Sequence, residues 1–251
     1  MSRGVGIFLV MLSLAAEKIT QIGPLPITNT LVDTLLVDII LIALALYISK
    51  KATLIPTKLQ GMIEMIVESL YGLTETVAGK QTMLIFPFVM TFFLFILVSN
   101  WSGLLPVLTS LGFYHGKDFV PLIRSASTDL NTTLALALVS LVSTHTMSIT
   151  TLGFKQYVKR FLSLNPLALY TGILEAVSEV TKIISFSFRL FGNIFVGETI
   201  LGILGGAYAF ILPIPIILYE IFVGAIQATI FALLTMAFMA IFTSPHGEEA
   251  H

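Results

Sequence analysis

Long apolar runs separated by short polar segments make up most of this chain. Several runs reach about 18 residues, the helix length that crosses about 30 Å of hydrocarbon. The pattern predicts five transmembrane helices, at residues 31–49, 83–100, 129–151, 166–204 and 216–242. At about 1.5 Å per residue the fourth is too long to stand upright in a bilayer, so it must tilt, bend or extend beyond it.

A different pattern marks residues 56–79, where apolar residues recur at three- and four-residue spacing and charged residues lie elsewhere around the helix. The apolar positions are Leu59, Met62, Ile63, Ile66, Leu70, Leu73 and Val77. This predicts an amphipathic helix in the plane of the membrane surface. A connector packed on neighbouring helices fits the same pattern.

The N-terminal segment, residues 1–24, is set apart from a single membrane domain at residues 25–251. Ser2 and Arg3 precede an apolar run, 5–16, that ends in small residues. This is typical of a cleavable signal peptide, because the run is short for a membrane span. A retained, membrane-associated segment is the alternative.

Composition supports an all-α integral membrane protein. The chain is 56% hydrophobic and 11% charged, with a mean hydropathy of +0.98, whereas soluble domains carry about 25% charged residues. Cysteine is absent, which excludes disulfides, thiol catalysis and cysteine-ligated metals. With a net charge of -1, the chain lacks the excess of basic residues that is typical of nucleic-acid-binding proteins.

The lysines and arginines of the connections predict the orientation, because cytoplasmic connections carry an excess of them. One side holds Lys50, Lys51, Lys58, Lys80, Lys155, Lys159 and Arg160, and the other holds Lys117 and Arg124. The mature N-terminus is then outside and the C-terminus cytoplasmic. In the first span, Asp33 is expected at the interface and Asp38, lying deeper, is expected to line a wet cavity.

The fourth predicted span contains Lys182 and Arg189, the basic residues within membrane segments. A charge at mid-bilayer costs at least about 2.5–3.5 kcal/mol on insertion scales. At 100° per residue one face of this helix is small and polar. That face comprises Ser178, Lys182, Ser185, Arg189, Gly192 and Asn193. Small residues let helices approach closely, so Arg189 is expected to face a partner helix. The Lys182 stem is long enough to snorkel instead.

Acidic residues of the last two helices fall into two groups. Glu198 and Glu220 are expected to line access from outside, and Glu175 and Glu179 to line access from the cytoplasm. Gln227 is expected near the level of Arg189. Each carboxylate has an alternative role as a buried structural hydrogen-bonding group.

The segment 187–193, SFRLFGN, followed by Gly197 and Glu198, resembles subunit a of bacterial F-type ATP synthases. Similarity continues at Leu174-Glu175, at Glu220 and Gln227, at residues 55–60, 100–106 and 129–133, and weakens over the first 24 residues.

The resemblance implies the proton-translocating stator subunit of the Fo sector, non-catalytic for ATP itself, in a bacterial plasma (inner) membrane. Its last two spans would form a tilted antiparallel hairpin against the c-subunit ring. Further implied partners are subunit b of the peripheral stalk, the rest of the ATP synthase and the lipid bilayer. No cofactor or metal is implied. The ion is a proton, or sodium in some members.

The resemblance also implies roles for individual residues. Arg189 would be the essential arginine that meets a ring carboxylate and blocks leakage, supported by Asn193 and Gln227. Glu198 and Glu220 would belong to the outer half-channel and Glu175 to the cytoplasmic one. Ion-pathway candidates from the same matched segments and the polar helix face are Glu179, Lys182, Ser185 and Asp129.

Two rival functions give different expectations. A self-contained channel or transporter predicts a repeat of broken helices in two halves, and no such repeat is visible in the sequence. An intramembrane hydrolase needs a nucleophile–base or metal pair at depth, yet only His145 of the four histidines lies near a span and no HExxH motif occurs.

Overall fold

The computed structural model describes residues 16–22, 25–105, 112–115, 118–161, 166–207 and 213–244. Helices dominate these residues. The α-helices are α1 Asn29–Lys51, α2 Lys58–Ala78, α3 Thr82–Ser102, α4 Leu130–Leu152, α5 Phe154–Phe161, α6 Pro166–Ala207 and α7 Pro213–Thr243. The possible signal peptide lies almost wholly outside the described residues, as do residues 208–212 between α6 and α7.

Five stretches of the described chain are helical, long and apolar enough to cross a membrane. This confirms a membrane protein with five long apolar helices. One of the five stretches runs from Lys58 to Ser102 and includes both α2 and α3. The orientation of α2 in the membrane plane stays a prediction.

Two small antiparallel hairpins supplement the helices and were not predicted from the sequence. Strand β1, Lys18–Ile22, pairs with β2, Leu25–Thr28. Strand β3, Gly112–His115, pairs with β4, Asp118–Pro121. The second hairpin lies in the connection between α3 and α4.

Local sequence signals account for several helix ends. Thr57 caps the start of α2, where its side chain accepts a hydrogen bond from the Gln60 backbone amide. Backbone amides in the first turn of a helix have no partner within the helix, so a side chain of this kind supplies one. Gly79 and Gly153 follow α2 and α4 with φ of 51° and 84°. Glycine adopts such positive angles without the clash that a Cβ introduces.

The chain forms two compact units. The first comprises Met1–Lys51, Phe93–Thr133 and Phe188–Thr229, and the second comprises Ala52–Phe92, Leu134–Ser187 and Ile230–His251. In the first unit, Val37, Leu190 and Ile194 are buried apolar residues. In the second, the Phe186 ring packs against those of Phe231 and Phe238, with centroids 5.1 and 5.9 Å away.

Candidate functional site

An ion pair joins α6 to the segment before α4 in the first unit. The Arg124 Nε lies 3.3 Å from Oε2 of Glu198. Both side chains are largely removed from solvent, at 9% and 20% exposure. A guanidinium stays charged at any physiological pH, so Glu198 has a permanent cationic neighbour that the sequence analysis had assigned only to a connection.

Glu220 of α7 lies against the backbone of α6. Its carboxylate occupies the space next to Gly197 that a Cβ on that residue would need. The residue is 5% exposed, and its Oε1 accepts no hydrogen bond within the described part of the chain. Because Gly197 directly precedes Glu198, the structure brings the two predicted outer carboxylates to one place.

Polar contacts of α3 fix the position of α7 beside Glu220. The Asn100 side-chain amide donates to the Gly224 carbonyl at 3.0 Å, and Trp101 Nε1 donates to the Ile221 carbonyl at 3.1 Å. A glycine at 224 permits this approach, since an added Cβ would lie 3.1 Å from the Asn100 Cβ.

The segment carrying Arg124 is held by Asp33 of α1. The Ala126 amide donates to the Asp33 carboxylate at 2.9 Å, and the Ser125 hydroxyl donates to the Ser99 carbonyl at 2.8 Å. Asp33 is 0% exposed, so it is enclosed by protein where the sequence suggested an interfacial position. Asp38, expected in a wet cavity, instead lies exposed on the surface of α1.

Asp129 acts as the cap of α4 in this structure. Its Oδ1 accepts a hydrogen bond from the Asn131 amide at 3.0 Å, and its Oδ2 accepts one from the Thr30 hydroxyl at 3.3 Å. The first contact provides a partner for a backbone N–H group at the start of α4, and the second joins α4 to α1. They give Asp129 a structural task, while its predicted place in the ion pathway stays a prediction.

Arg189 lies on α6 between the acidic groups in the order of the chain. Arg189 and Ser185 are half-buried, Asn193 is exposed, and Gln227 of α7 is buried. The neighbouring Leu190, at 2% exposure, anchors this turn of α6 in the core of the first unit.

Glu175 is held by an arginine that the sequence had placed only in a basic connection. Arg160 Nη2 and Nε lie 2.5 and 2.7 Å from Oε1 of Glu175. Arg160 also donates to the Ile241 carbonyl at 3.2 Å, and its guanidinium lies 3.9 Å from the Phe242 ring centroid, a cation–π contact. The Glu175 charge is therefore neutralised by a fixed partner.

Glu179 forms the centre of another polar cluster, which like Glu175 belongs to the second unit. Its Oε1 lies 2.5 Å from Lys182 Nζ, and its Oε2 lies 3.6 Å from Nε2 of His145. Lys182 Nζ also lies 3.7 Å from the Phe238 ring centroid. Lys182 therefore turns inward to a carboxylate and a ring, and the snorkelling alternative is wrong for this structure.

The Tyr157 hydroxyl lies 3.2 Å from Nδ1 of His145. Burial, followed by the nearby Glu179 charge, raises the pKa of Tyr157 above its usual 10, so the phenol stays protonated. An O–H donated to Nδ1 leaves the Nε2 hydrogen of a neutral imidazole directed at Glu179.

A small cavity adjoins Glu179 and Lys182. Its other lining residues are Ala137, Ser140, Leu141, Thr144, Ile183, Phe186 and Phe238. The volume open to the centre of a water molecule is about 20 Å³, enough for one water. Four of the nine lining residues, Ser140, Thr144, Glu179 and Lys182, are polar or charged, and the other five are apolar.

The partners of the carboxylates were not predicted from the sequence. Arg124, Arg160 and His145 were each recognised as polar residues near a span, but their pairing with Glu198, Glu175 and Glu179 connects positions 74, 15 and 34 residues apart. Among the described residues, no group of three histidine or acidic side chains is arranged to hold a metal.

The fold and these clusters define a multi-pass membrane protein whose last two long helices carry ionisable groups inside an apolar segment. Residues 31–240 match the family model described as ATP synthase A chain. The chain is 34% identical to ATP synthase subunit a of Moorella thermoacetica over 229 residues, which covers 91% of this chain and 97% of the relative. The chain therefore belongs to the ATP synthase A chain family. This homology supports subunit a of the Fo sector and confirms the resemblance found at residues 187–193.

Proposed function

We propose that the chain is the proton-translocating stator subunit of Fo, with two aqueous half-channels separated by Arg189. The observation that carries the proposal is the grouping of the membrane carboxylates. Glu198 and Glu220 meet in the first unit, Glu175 and Glu179 lie in clusters of the second, and Arg189 stands between Glu179 and Glu198 along the continuous helix α6.

The outer half-channel is assigned to Glu198 and Glu220. Glu220 has a buried oxygen with no hydrogen bond among the described residues, which leaves a site for water or a proton. Arg124 lies beside Glu198, so that this carboxylate has a cationic partner in the same half-channel.

The cytoplasmic half-channel is assigned to Glu179, with His145 and the adjoining cavity. Glu175 is bound by Arg160 at two nitrogens, so we assign it an electrostatic role at this end, whereas Glu179 faces the cavity with a neutralising lysine and a histidine. A histidine ring nitrogen can bind and release a proton, which suits a group that passes protons toward the cytoplasm.

We assign two roles to Arg189: it blocks the direct passage of protons between the half-channels, and it contacts the carboxylate of the c-ring. A fixed guanidinium repels a free proton and attracts a ring carboxylate, so the ring group gives up its proton when it comes opposite. A bare carboxylate is costly in lipid, so it takes a proton from the other half-channel before moving on. Each charge crossing 100 mV supplies about 2.3 kcal/mol to this rotation.

The remaining assignments follow from the family and the charge pattern. We assign α6 and α7 as a tilted hairpin against the ring, with Ser185, Asn193 and Gln227 as polar neighbours of Arg189. The seven-to-two distribution of basic residues between connections supports an outside N-terminus and a cytoplasmic C-terminus in a bacterial inner membrane. Subunit b and the rest of the ATP synthase are the further proposed partners.

Site-directed labelling tests the two half-channels and the orientation together. The chain contains no cysteine, so Glu220→Cys and Glu179→Cys each introduce a unique thiol. In the assembled complex in sealed vesicles, we expect a membrane-impermeant thiol reagent to reach position 220 only from outside and position 179 only from the cytoplasmic side. Labelling of both positions from one side contradicts the proposal.

A further inference from the structure

Asp33 is a buried carboxylate that neither proposed half-channel uses. It lies on α1 four residues after Asn29, where the helix begins, and it is 0% exposed. Its Oδ2 accepts a hydrogen bond from the Ala126 amide at 2.9 Å, whereas its Oδ1 has no hydrogen-bond partner in the described part of the chain. An ionised carboxylate accepts about four hydrogen bonds, so most of the hydrogen-bonding capacity of Asp33 is unused.

Two serines of α3 lie beside this carboxylate. The hydroxyl groups of Ser99 and Ser102 are near enough to interact with Asp33. Ser99 is 0% exposed, and its Oγ, like Asp33 Oδ1, has no hydrogen-bond partner of ordinary length among the described residues. Buried polar atoms that lie near one another without a direct hydrogen bond are commonly bridged by an internal water molecule. Asp33 and Ser99 therefore define a position for such a water.

The contact with Ala126 does not by itself require an ionisable side chain. The side-chain carbonyl of an asparagine accepts the same backbone hydrogen bond. Asp33 makes no salt bridge within the described residues, and a buried charge without a counter-charge is costly. An ionisable group inside a membrane helix is by default a functional one. These properties favour a task for Asp33 that depends on binding a proton.

A short polar path leads from Asp33 to Glu198 within the first unit. Gly103 directly follows Ser102, and a Cβ on this glycine would lie 2.6 Å from the Ser125 Cβ and 3.2 Å from Oε1 of Glu198. The Asp33 and Glu198 carboxylates are near enough for their charges to interact. The end of α3 therefore lies between the two carboxylates and contributes serine hydroxyls and a glycine, with no apolar side chain at position 103.

The charged groups on the elements around this path are mostly acidic. Arg124 is paired with Glu198, Asp129 caps α4, and Glu220 lies against the backbone of α6. Together with Asp33 these groups place several carboxylates near one guanidinium. Their excess of negative charge attracts a proton or another cation from outside.

We propose that Asp33 is a further proton-binding group of the outer half-channel, and that Asp33 Oδ1 and Ser99 Oγ hold the internal water through which a proton arrives. This inference rests on the outer half-channel proposed above. Asp33 lies about 6 Å from the outer end of α1, whereas Glu198 lies about 14 Å from the outer end of α6 at Ala207, so an incoming proton meets Asp33 first. The proton binds Oδ1, then moves through water to a deprotonated Glu198, and Asp33 is left deprotonated for the next one.

Asp33→Asn separates proton binding from a purely structural role. The amide keeps a carbonyl for the Ala126 hydrogen bond but cannot carry a proton. We expect proton-driven ATP synthesis per assembled complex to fall about 100-fold, the lower end of what a positioned proton-transfer group contributes, at an unchanged amount of complex. Asp38→Asn is the matched control, because Asp38 is an exposed carboxylate of the same helix, and its rate should equal that of the unsubstituted protein.

Glu198→Gln, measured alongside, distinguishes this inference from the function on which it rests. A slow Glu198→Gln variant together with a full rate for Asp33→Asn would overturn the role of Asp33 alone. Full rates in both variants would count against the outer half-channel itself and against this inference with it. Failure of Asp33→Asn to assemble would assign the carboxylate to structure and would likewise overturn the inference.

Silver ions test the internal water without relying on transport. The chain contains no cysteine, so Ser99→Cys places its single thiol beside Asp33. Thr128→Cys is the control, because Thr128 is 1% exposed and its hydroxyl already donates to the Ser125 carbonyl at 2.7 Å. In the assembled complex with silver ions on the outer side, we expect the thiol at position 99 to be lost and the thiol at position 128 to remain, as titrated after denaturation. An unreactive thiol at position 99, or equal loss at both positions, would contradict the proposed water position.

Discussion

The Glu220 carboxylate stands where a side chain on Gly197 would begin. A Cβ built on Gly197 would collide with both Oε1 and the carboxyl carbon of Glu220. The glycine is therefore a condition for the Glu220 carboxylate to lie against α6 in this position. Because Gly197 precedes Glu198, the same contact brings Glu220 close to Glu198, the two carboxylates that we assign to the outer half-channel.

Gly197→Ala should slow ion-driven ATP synthesis without preventing assembly. The obstructing group is the end of a flexible side chain, so the methyl displaces the Glu220 carboxylate and leaves the helices largely in place. We expect a loss of up to about 100-fold in rate, the lower end of what a positioned proton-transfer group contributes. Gly72→Ala is the control, because nothing lies within 4 Å of its added Cβ, and an equal loss in both variants would contradict the role of the contact.

Gly172→Ala should act on stability instead. The Cβ at position 172 would collide with the backbone carbonyl of Phe161, and backbone in a helix cannot swing aside. Overpacking of this kind costs about 1–3 kcal/mol. A lowered unfolding temperature of the purified complex is the measurement, and stability equal to that of the unsubstituted protein would show that α5 moves freely away from α6.

Arg160→Ala should destabilise the second unit, whereas Lys159→Ala should not. Arg160 is buried against Phe242 and paired with Glu175, while Lys159 is exposed on the same short helix. Leaving Glu175 without its cation costs about 1–3 kcal/mol, less than a fully buried pair because Glu175 retains some solvent contact.

Thermal unfolding can also separate the contribution of the Arg160–Glu175 ion pair from that of the packing of Arg160. Adding Glu175→Gln to Arg160→Ala should recover part of the lost stability, since the unpaired charge is then removed. No recovery, measured by thermal unfolding of the complex, would mean that the packing of Arg160 on Phe242 accounts for the whole effect.

Glu198→Gln should slow proton uptake from outside. Arg124→Gln should also slow it, because Glu198 then loses the cation 3.3 Å away, and Arg124→Lys should retain more activity than Arg124→Gln. Proton-driven ATP synthesis in vesicles at fixed membrane potential measures the effect. The control is Glu68→Gln, an exposed residue of α2; rates unchanged in both Glu198 and Arg124 variants would assign these groups to structure alone.

The membrane helices were predictable because each leaves a long signal in the sequence. An apolar run of about 18 residues is itself the property that the bilayer requires, so α1, α3, α4, α6 and α7 were found with ends displaced by three residues or fewer. The hairpins β1–β2 and β3–β4 were missed because strands of four or five residues carry too little periodicity to stand out.

The carboxylates of the site were predictable, and their partners were not. Glu175, Glu179, Glu198 and Glu220 stand out because each is a charge within an apolar helix. Arg124 and Arg160 lie in connections where basic residues are ordinary, and only folding brings them to Glu198 and Glu175. Lys182 and Glu179 are neighbours three residues apart on α6, but the contact of Lys182 with the Phe238 ring likewise depends on the packing of separate helices.

Coupled ATP synthesis by the assembled complex carrying Arg189→Ala tests whether Arg189 separates the two half-channels. With Arg189 as the barrier between two half-channels, ion-driven ATP synthesis should be abolished while the amount of assembled complex remains close to that of the unsubstituted protein. Coupled synthesis at an appreciable rate in that variant would contradict the assigned role of Arg189.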